Sequence, residues 1–460
     1  MPDITAMEEL KKQIRGQMIL PSDPGYDAAR RVYNGNIDRR PAAIVVCADV
    51  ADVMASVNYA REHQLKLAVR GGGHSAPGFG TCDDGLVISL ARMKGIRVDA
   101  EKRTVRAEGG CTWGDLDHAT HAFGLATPGG VISTTGIAGL TLGGGFGYLS
   151  RLHGLSCDNL ISADVVTADG QLRVADATHN PELFWAIRGG GGNFGVLTSL
   201  EFKLHPHKMV FAGPILYPPD QAGAVMRQYR DFMRTAPREV SAFFAFIIVP
   251  PHAPFPENLW NKTVPAIMCC YAGSDPGQGE KALQPLRSFG PPLFVLNMTM
   301  PYPAVQSLFD GLLPPGLHHY WKSDFVTDLS DEQIAVHEKF GPRIPTLASV
   351  MHIYPLDGAI HDPKPADTAF AYRNVRFVHI IGAVTPDSET LDRYRPWVRE
   401  YWDALHPHAA GGTYVNFLME EGEARVSASY SGNHARLAKV KGQYDPGNLF
   451  CINQNIAPAK

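Results

Sequence analysis

The chain has 460 residues, with 42 lysines and arginines against 46 aspartates and glutamates, 45% hydrophobic and 19% charged residues, and a formal net charge of -4. That balance excludes general disorder and gives no electrostatic reason to expect nucleic acid or an anionic membrane as partner. The length exceeds what one hydrophobic core organises and implies two or three folding units.

Residues 1–35 read as a short helix and a loop. The start lacks the apolar core of a signal peptide, and the twin arginines Arg30-Arg31 and Arg39-Arg40 have no apolar run behind them, so export is not expected. The longest apolar stretch, residues 242–250, is far too short to span a bilayer. Seven cysteines without CxxC spacing read as reduced thiols, and a cytoplasmic protein is expected. From residue 43 the pattern becomes regular. Residues 43–47 (AIVVC) form a buried strand, Asp49 caps a helix through residue 64, and residues 65–70 form a strand running into Gly71-Gly72-Gly73-His74-Ser75. Strands follow over 86–90, 96–99 and 104–107, then a helix capped by Thr112 and closed by Gly124. A second glycine-rich stretch covers 128–147. Asp169-Gly170 marks a hairpin between 161–167 and 171–174, a short helix spans 182–187, and a third glycine run (189–195) leads into a strand over 196–204. After Pro206 glycine loops thin out and prolines multiply. A second, α+β unit is expected over 207–410, with sheet at 243–249 and 375–384. A tail over 411–460 carries a helix at 433–440 and ends extended.

Gly190-x-Gly192-x-x-Gly195 matches the dinucleotide fingerprint on paper, but a helix precedes it and a strand follows. The fingerprint needs the reverse, so a nicotinamide dehydrogenase is not expected. No metal-ligand, phosphate-loop or nucleophile-elbow pattern is present, and no metal is expected. Any one glycine cluster reads as a tight turn. Three of them within 195 residues point to several backbone segments converging on one long, flat, phosphate-bearing ligand, whose pyrophosphate main-chain N–H groups can hold. His74 follows the first cluster at a strand end. A histidine there is often merely structural, but a neutral imidazole in such a loop can also bond covalently to an electrophilic cofactor carbon.

The segments Arg70 to Ser75, Thr135-Gly136 to Gly147, Gly154-Leu155-x-x-Asp158-Asn159 and Leu183 to Gly195 together resemble the berberine-bridge-enzyme-like flavoproteins. These belong to the vanillyl-alcohol-oxidase, or PCMH-type FAD-binding, superfamily. Arg436-Leu437-x-x-Val440-Lys441, Tyr444-Asp445-Pro446-x-Asn448 and Asn453-Gln454-Asn455-Ile456 are similar to that family's C-terminal signature. The matches span residues 35–205 and 411–457. The resemblance implies an α+β protein: a PCMH-type FAD-binding domain of two α/β subdomains (residues 1–206), an α+β substrate domain with an antiparallel sheet (207–410), and a C-terminal segment (411–460) returning to the FAD domain. It implies FAD joined through an 8α-histidyl bond from His74. The second, cysteinyl bond of many relatives is missing, because Ile132 stands at that position, so the flavin is expected to be singly attached as in bacterial-type members.

Further cofactor contacts carried over are Arg70, Gly71, Gly72, Gly73, Ser75, Gly129, Thr134, Thr135, Gly136, Gly139, Gly143, Gly144, Asp158, Asn159, Gly192, Val196, Tyr414, Asn416, Asn453 and Asn455. Cys157 reads as structural. Thr135 is the candidate beside the oxygen side of the flavin. The familiar catalytic bases are absent: Phe417 replaces the second tyrosine of Tyr-x-Asn-Tyr, and Ile381 stands where other members carry glutamate or glutamine. Base candidates are therefore Tyr414, Asp367, Tyr372, His379 and Lys322, with Tyr414 favoured because the tail passes beside the ring. A substrate that ionises easily, such as a phenol, enol or amine, is the other way to meet the loss. The expected activity is oxidation of a small secondary-metabolite or alkaloid-type substrate by hydride transfer to flavin, with molecular oxygen as acceptor. The alternatives are an oxygenating flavoenzyme acting on an enol or polyketide-like substrate, and a binding protein that keeps FAD without turnover. No sequence feature fixes the oligomeric state.

Overall fold

Parallel strands covered on both faces need unbroken apolar runs, and the first unit supplies them. Ala43–Val46, Leu86–Ser89 and Leu67–Arg70 are mutually parallel in that order, with Gln17–Ile19 antiparallel at the edge. The computed structural model describes residues 4–459, so residues 1–3 and 460 of the predicted outer units lie outside the described residues. Helix Val50–Glu62 makes the crossover. The Asp49 carboxylate accepts hydrogen bonds from the Ala51 and Asp52 N–H groups at its first turn. The expected strand–helix–strand opening is therefore present, and Leu67–Arg70 delivers the first glycine loop to one end of this sheet.

The second sheet is antiparallel throughout, ordered Ile96–Asp99, Thr104–Glu108, Val196–Lys203, Leu160–Val166, Leu172–Asp176. Its last pair is the Asp169-Gly170 hairpin, whose tight turn uses Gly170 at φ +74°. Helix Trp113–His121 packs on the same core as this sheet through Trp113 and Leu116, held at its start by a capping box between Thr112 and Asp115.

The third sheet is antiparallel and eight-stranded, with every strand drawn from residues 209–385. Its order is Phe294–Val295, Met209–Leu216, Thr263–Tyr271, Val240–Ile248, Val350–Pro355, Phe377–Thr385, His318–Val326, and Met298–Pro301 also pairs with Met209–Leu216. Side chains alternate between its faces. Phe244, Ile267, Ile353 and Ile381 pack in one core with helices Ala222–Thr235, Asp331–Phe340 and Ser388–Leu405. Phe243, Met268, Tyr354 and Ile380 belong to the other face, in a core shared with Phe146 from the second glycine-rich stretch, with Leu149 and Leu155 just after it, and with Tyr414. The tail helix, His434–Tyr444, runs four residues beyond the expected end. Among the described residues, no helix is long and apolar enough to cross a membrane.

Candidate active site

The three glycine clusters and the tail meet the inner face of the eight-stranded sheet around one cavity of about 750 Å³. Its floor begins where Leu67–Arg70 ends. The first two glycine segments touch backbone to backbone: a Cβ on Gly72 would lie 2.4 Å from the Gly136 nitrogen, and one on Gly136 would lie 2.4 Å from the Gly72 nitrogen. Only glycine at both positions allows that approach. Gly73 then takes φ +73°, left-handed backbone that turns the chain into His74. Among the described residues, none of the five main-chain N–H groups from Gly71 to Ser75 donates a hydrogen bond. Unpaired N–H groups in succession form a concavity suited to an anion.

His74 stands in this wall with both ring nitrogens engaged, Nε2 at 3.0 Å from the Thr134 hydroxyl and Nδ1 at 3.3 Å from that of Thr135. Its ring stacks on Tyr33 at 3.8 Å between centroids, and Tyr33 donates to the Leu313 carbonyl at 2.5 Å. Burial, reinforced by neighbouring His319, pulls His74 down to about 4. The imidazole is neutral at pH 7 and keeps a lone pair for a bond or a proton.

These features fit FAD. The cavity volume falls in the range of ligand sites, roughly 300–1,000 Å³. Arg70 is the one charged side chain on the wall among the described residues, so a diphosphate would be held by main-chain N–H groups rather than by lysines. Asn453 Oδ1, a buried side-chain oxygen of a wall residue, has no protein partner, and Gly139 has open space where a Cβ would be. Of the expected contacts, Arg70, Gly71, Gly72, Gly73, Ser75, Thr135, Gly136, Gly139, Gly192, Tyr414, Asn416 and Asn453 line the cavity, and Thr134 reaches it through His74.

The structure does not bring the remaining contacts to this wall. Gly129 packs on the Trp113 ring, Gly143 on the Asn416 amide and Gly144 on Phe370. Asp158 is taken up by a two-pronged ion pair with Arg373, 2.7 Å at each oxygen. The Asn159 amide donates to the His153 and Leu155 carbonyls, and its oxygen contacts His205. Val196 is fully buried in the sheet core. Asn455 lines a neighbouring groove instead. Cys157 is buried, as its structural reading expects.

Four of the five base candidates also point elsewhere. Asp367 is exposed and accepts from the Lys364 N–H at 2.9 Å. Tyr372 donates to the Ala428 carbonyl. His379 lies on the helix-side face of its strand, 3.8 Å from Asp324, and Lys322 pairs with Glu421 at 2.8 Å beneath Trp402. Strand alternation explains the last two, and also Ile381, which faces the helices while Ile380 faces the cavity. Tyr414 does line the cavity. Its hydroxyl accepts from Gly145 N–H (2.9 Å) and the Asn416 amide (2.7 Å), yet burial outweighs both donors and raises its pKa well above the ordinary tyrosine value. A protonated Tyr414 is a hydrogen-bond donor at neutral pH.

Sequence reasoning passed over His319, Trp321, His352 and Tyr354, which stand on the cavity face of the sheet. Polar residues at every second position of apolar strands, as in 350–355 (VMHIYP), were the available signal.

Residues 41–176 match the FAD binding domain family, and residues 413–457 match the family described as berberine and berberine like. An FAD-linked oxidoreductase of Dictyostelium discoideum is 34% identical over 431 residues, covering 93% of this chain and 91% of the relative. The (R)-6-hydroxynicotine oxidase of Paenarthrobacter nicotinovorans is 30% identical over 470 residues, with 97% of each chain covered. The crystal structure of 6-hydroxy-D-nicotine oxidase from Arthrobacter nicotinovorans superposes with a TM-score of 0.85 at 27% identity, over 97% of this chain and 98% of that one.

Proposed function

The chain belongs to the berberine-bridge-enzyme-like FAD-linked oxidoreductases, and we propose that it is an oxidase. Its flavin is attached once, through His74, its substrate is a small molecule of secondary-metabolite or alkaloid type, and molecular oxygen is its electron acceptor. The observation that carries this reading is the neutral His74 imidazole, placed within a run of five unpaired N–H groups inside a cavity of cofactor size.

When bound, FAD supplies a two-electron, hydride-accepting ring. The chain's own residues do the rest. Thr134 and Thr135 fix the rotation of His74 by a hydroxyl on each ring nitrogen, and the stacked Tyr33 ring holds it from one face. The amides of Gly71 to Ser75 would hold the diphosphate. Ile132, on the cavity wall, offers no thiol for a second bond. Tyr414, anchored by Gly145 and Asn416, presents its hydroxyl proton toward the cavity. The phenyl and alkyl side chains of Phe243, Met268 and Ile380 exclude water from the substrate side.

Acid precipitation tests the attachment. Yellow colour is expected in the pellet, and intact-protein mass spectrometry is expected to show one added FAD on a peptide containing His74. His74→Ala should bind FAD that acid releases. Colour wholly in the supernatant of the unsubstituted protein overturns the covalent reading.

A further inference from the structure

The substrate side of the cavity holds no carboxylate and no ammonium group among the described residues; Arg70, the one charge on the wall, donates to the Arg31 carbonyl on the cofactor side. An ion entering here leaves water without meeting a counter-charge, at a cost of several kcal/mol. Several of the polar groups lining the space are rings. Two of them are paired: His352 and Tyr354, two residues apart on Val350–Pro355, with His352 Nδ1 2.7 Å from the Tyr354 oxygen. Neither makes another hydrogen bond among the described residues. Their surroundings are apolar: Ala245 and Ile380 flank His352 across the neighbouring strands, Val378 flanks Tyr354, and the Phe243 ring lies 4.7 Å from that of Tyr354. The other titratable groups lining the cavity are Arg70, His74, Tyr33, His319, His252, Tyr414 and Tyr430. Phe146, from the second glycine segment, bridges Tyr354 and Tyr414 at 5.2 and 4.9 Å, so the pair looks onto the cofactor floor.

Resting on the oxidoreductase reading above, we propose that His352 and Tyr354 form a proton-accepting dyad that ionises an uncharged, ring-bearing substrate with a phenolic or enolic hydroxyl. With Tyr354 donating to Nδ1, the substrate O–H bond breaks and its electron pair stays on the substrate oxygen. The proton passes to the Tyr354 oxygen as that residue's own proton moves to His352 Nδ1. The product of this step is an imidazolium facing a substrate oxyanion, attracted in surroundings of low polarity where their Coulomb energy is poorly screened. The electron-rich oxyanion makes a neighbouring C–H bond a better hydride donor. His352 is otherwise neutral, since burial draws it down to about 4, and it becomes charged only with its partner ion present.

The test uses the flavin-loaded protein and 4-nitrophenol, whose ionised form absorbs visible light. Bound 4-nitrophenol is expected to ionise about one pH unit or more below the free compound. Phenol should displace it about tenfold or more better than benzoate or benzylammonium. His352→Gln, and independently Tyr354→Phe, should return the ionisation to the free value or above while flavin absorbance and nitrophenol binding persist. Wild-type ionisation in both variants overturns the dyad. Equal competition by benzoate or benzylammonium, or no binding of 4-nitrophenol at all, overturns the substrate class. Protein isolated without flavin absorbance sinks the oxidoreductase reading and this inference with it, whereas any of the other failures with flavin present sinks the inference alone.

Discussion

The tail is fastened to the cofactor floor by one buried ion pair, and Lys441→Met isolates its contribution. Lys441 Nζ donates to Asp445 (2.6 Å) and to the carbonyls of Asn193 (2.8 Å) and Phe450 (2.9 Å). Both side chains of the pair are 0% exposed. Asp445 in turn accepts from the Leu449 and Phe450 N–H groups at 2.8 and 2.9 Å, so a single knot joins the third glycine run to residues 449–454, four of which (Phe450, Ile452, Asn453, Gln454) line the cavity. Burial pulls the Lys441 pKa below its ordinary value despite Asp445, a sign that the ammonium has little water. Methionine would leave Asp445 ionised and unpaired, costing about 3–5 kcal/mol. If that cost is realised as local opening, amide exchange over residues 449–456 should accelerate roughly 10²- to 10⁴-fold, and flavin fluorescence should rise as the floor loosens. Lys441→Met with Asp445→Leu should recover part of the loss, because no charge remains, but not all of it, because two N–H groups lose their acceptor at about 1–3 kcal/mol each. Native protection and flavin signal in Lys441→Met would refute the reasoning.

Gly72→Ala places a methyl 2.4 Å from the Gly136 nitrogen; combined with His74→Ala so that binding is reversible, it is expected to give a folded protein whose FAD affinity is about tenfold or more below that of His74→Ala alone, by equilibrium binding to the apoproteins. The His153, His205 and His207 rings form a cluster in which His207 is buried and the other two are half-buried, with His153 and His207 Nε2 atoms 2.6 Å apart and His153 stacked on His205 at 3.6 Å. Burial draws their pKa values to about 3, 4 and 4, with repulsion from the neighbouring cations contributing at His153 and His205. The unfolded chain therefore binds protons that the folded chain refuses between roughly pH 6.5 and 4, and stability should fall with pH by up to about 1.4 kcal/mol per unit at the buried His207 and by less at His153 and His205, which solvent partly screens. Urea unfolding of His153→Phe at pH 7 and 4.5 should show a shallower loss than the wild type; parallel losses would remove the cluster as cause. Asp158→Asn breaks the two-pronged pair with the 1%-exposed Arg373 and should destabilise by about 3–5 kcal/mol, read as an earlier flavin-fluorescence transition on heating.

The cofactor floor was legible because it is made of backbone. Gly72 and Gly136 are required by a contact of main chain with main chain, and such contacts leave glycine in the sequence whatever the neighbours are. The capped helices at Asp49 and Thr112 and the Asp169-Gly170 hairpin were legible for the same local reason. The substrate wall was not. Whether residue 380 or 381 faces the cavity depends on how a strand buried at all nine positions sits between two others, and Phe377–Thr385 is apolar on both faces except at His379 and Thr385. With no polar alternation to mark the outer side, nothing in the sequence showed that His379, a base candidate, and Ile381, matched to a glutamate or glutamine position, face the helices. Gly143 and Gly144, glycines of the same motif, lie against Asn416 and Phe370.

That asymmetry bears on how such a site changes its substrate. The floor tolerates few substitutions, since a methyl at Gly72 or Gly136 separates two loops and unseats the His74 imidazole with them. The wall opposite is built of interchangeable apolar side chains, where a swap of similar volume such as Met268→Leu costs less than about 1.5 kcal/mol. Size and shape preference can therefore drift at Phe243, Met268 or Ile380 while the fold and the flavin stay in place. His352 and Tyr354 sit outside that freedom. Removing either leaves a polar ring partnerless in an apolar wall, so a change at one position is expected to require a matching change at the other, and a Tyr354→Phe chain should be restored in stability by His352→Leu without regaining proton uptake from a bound phenol.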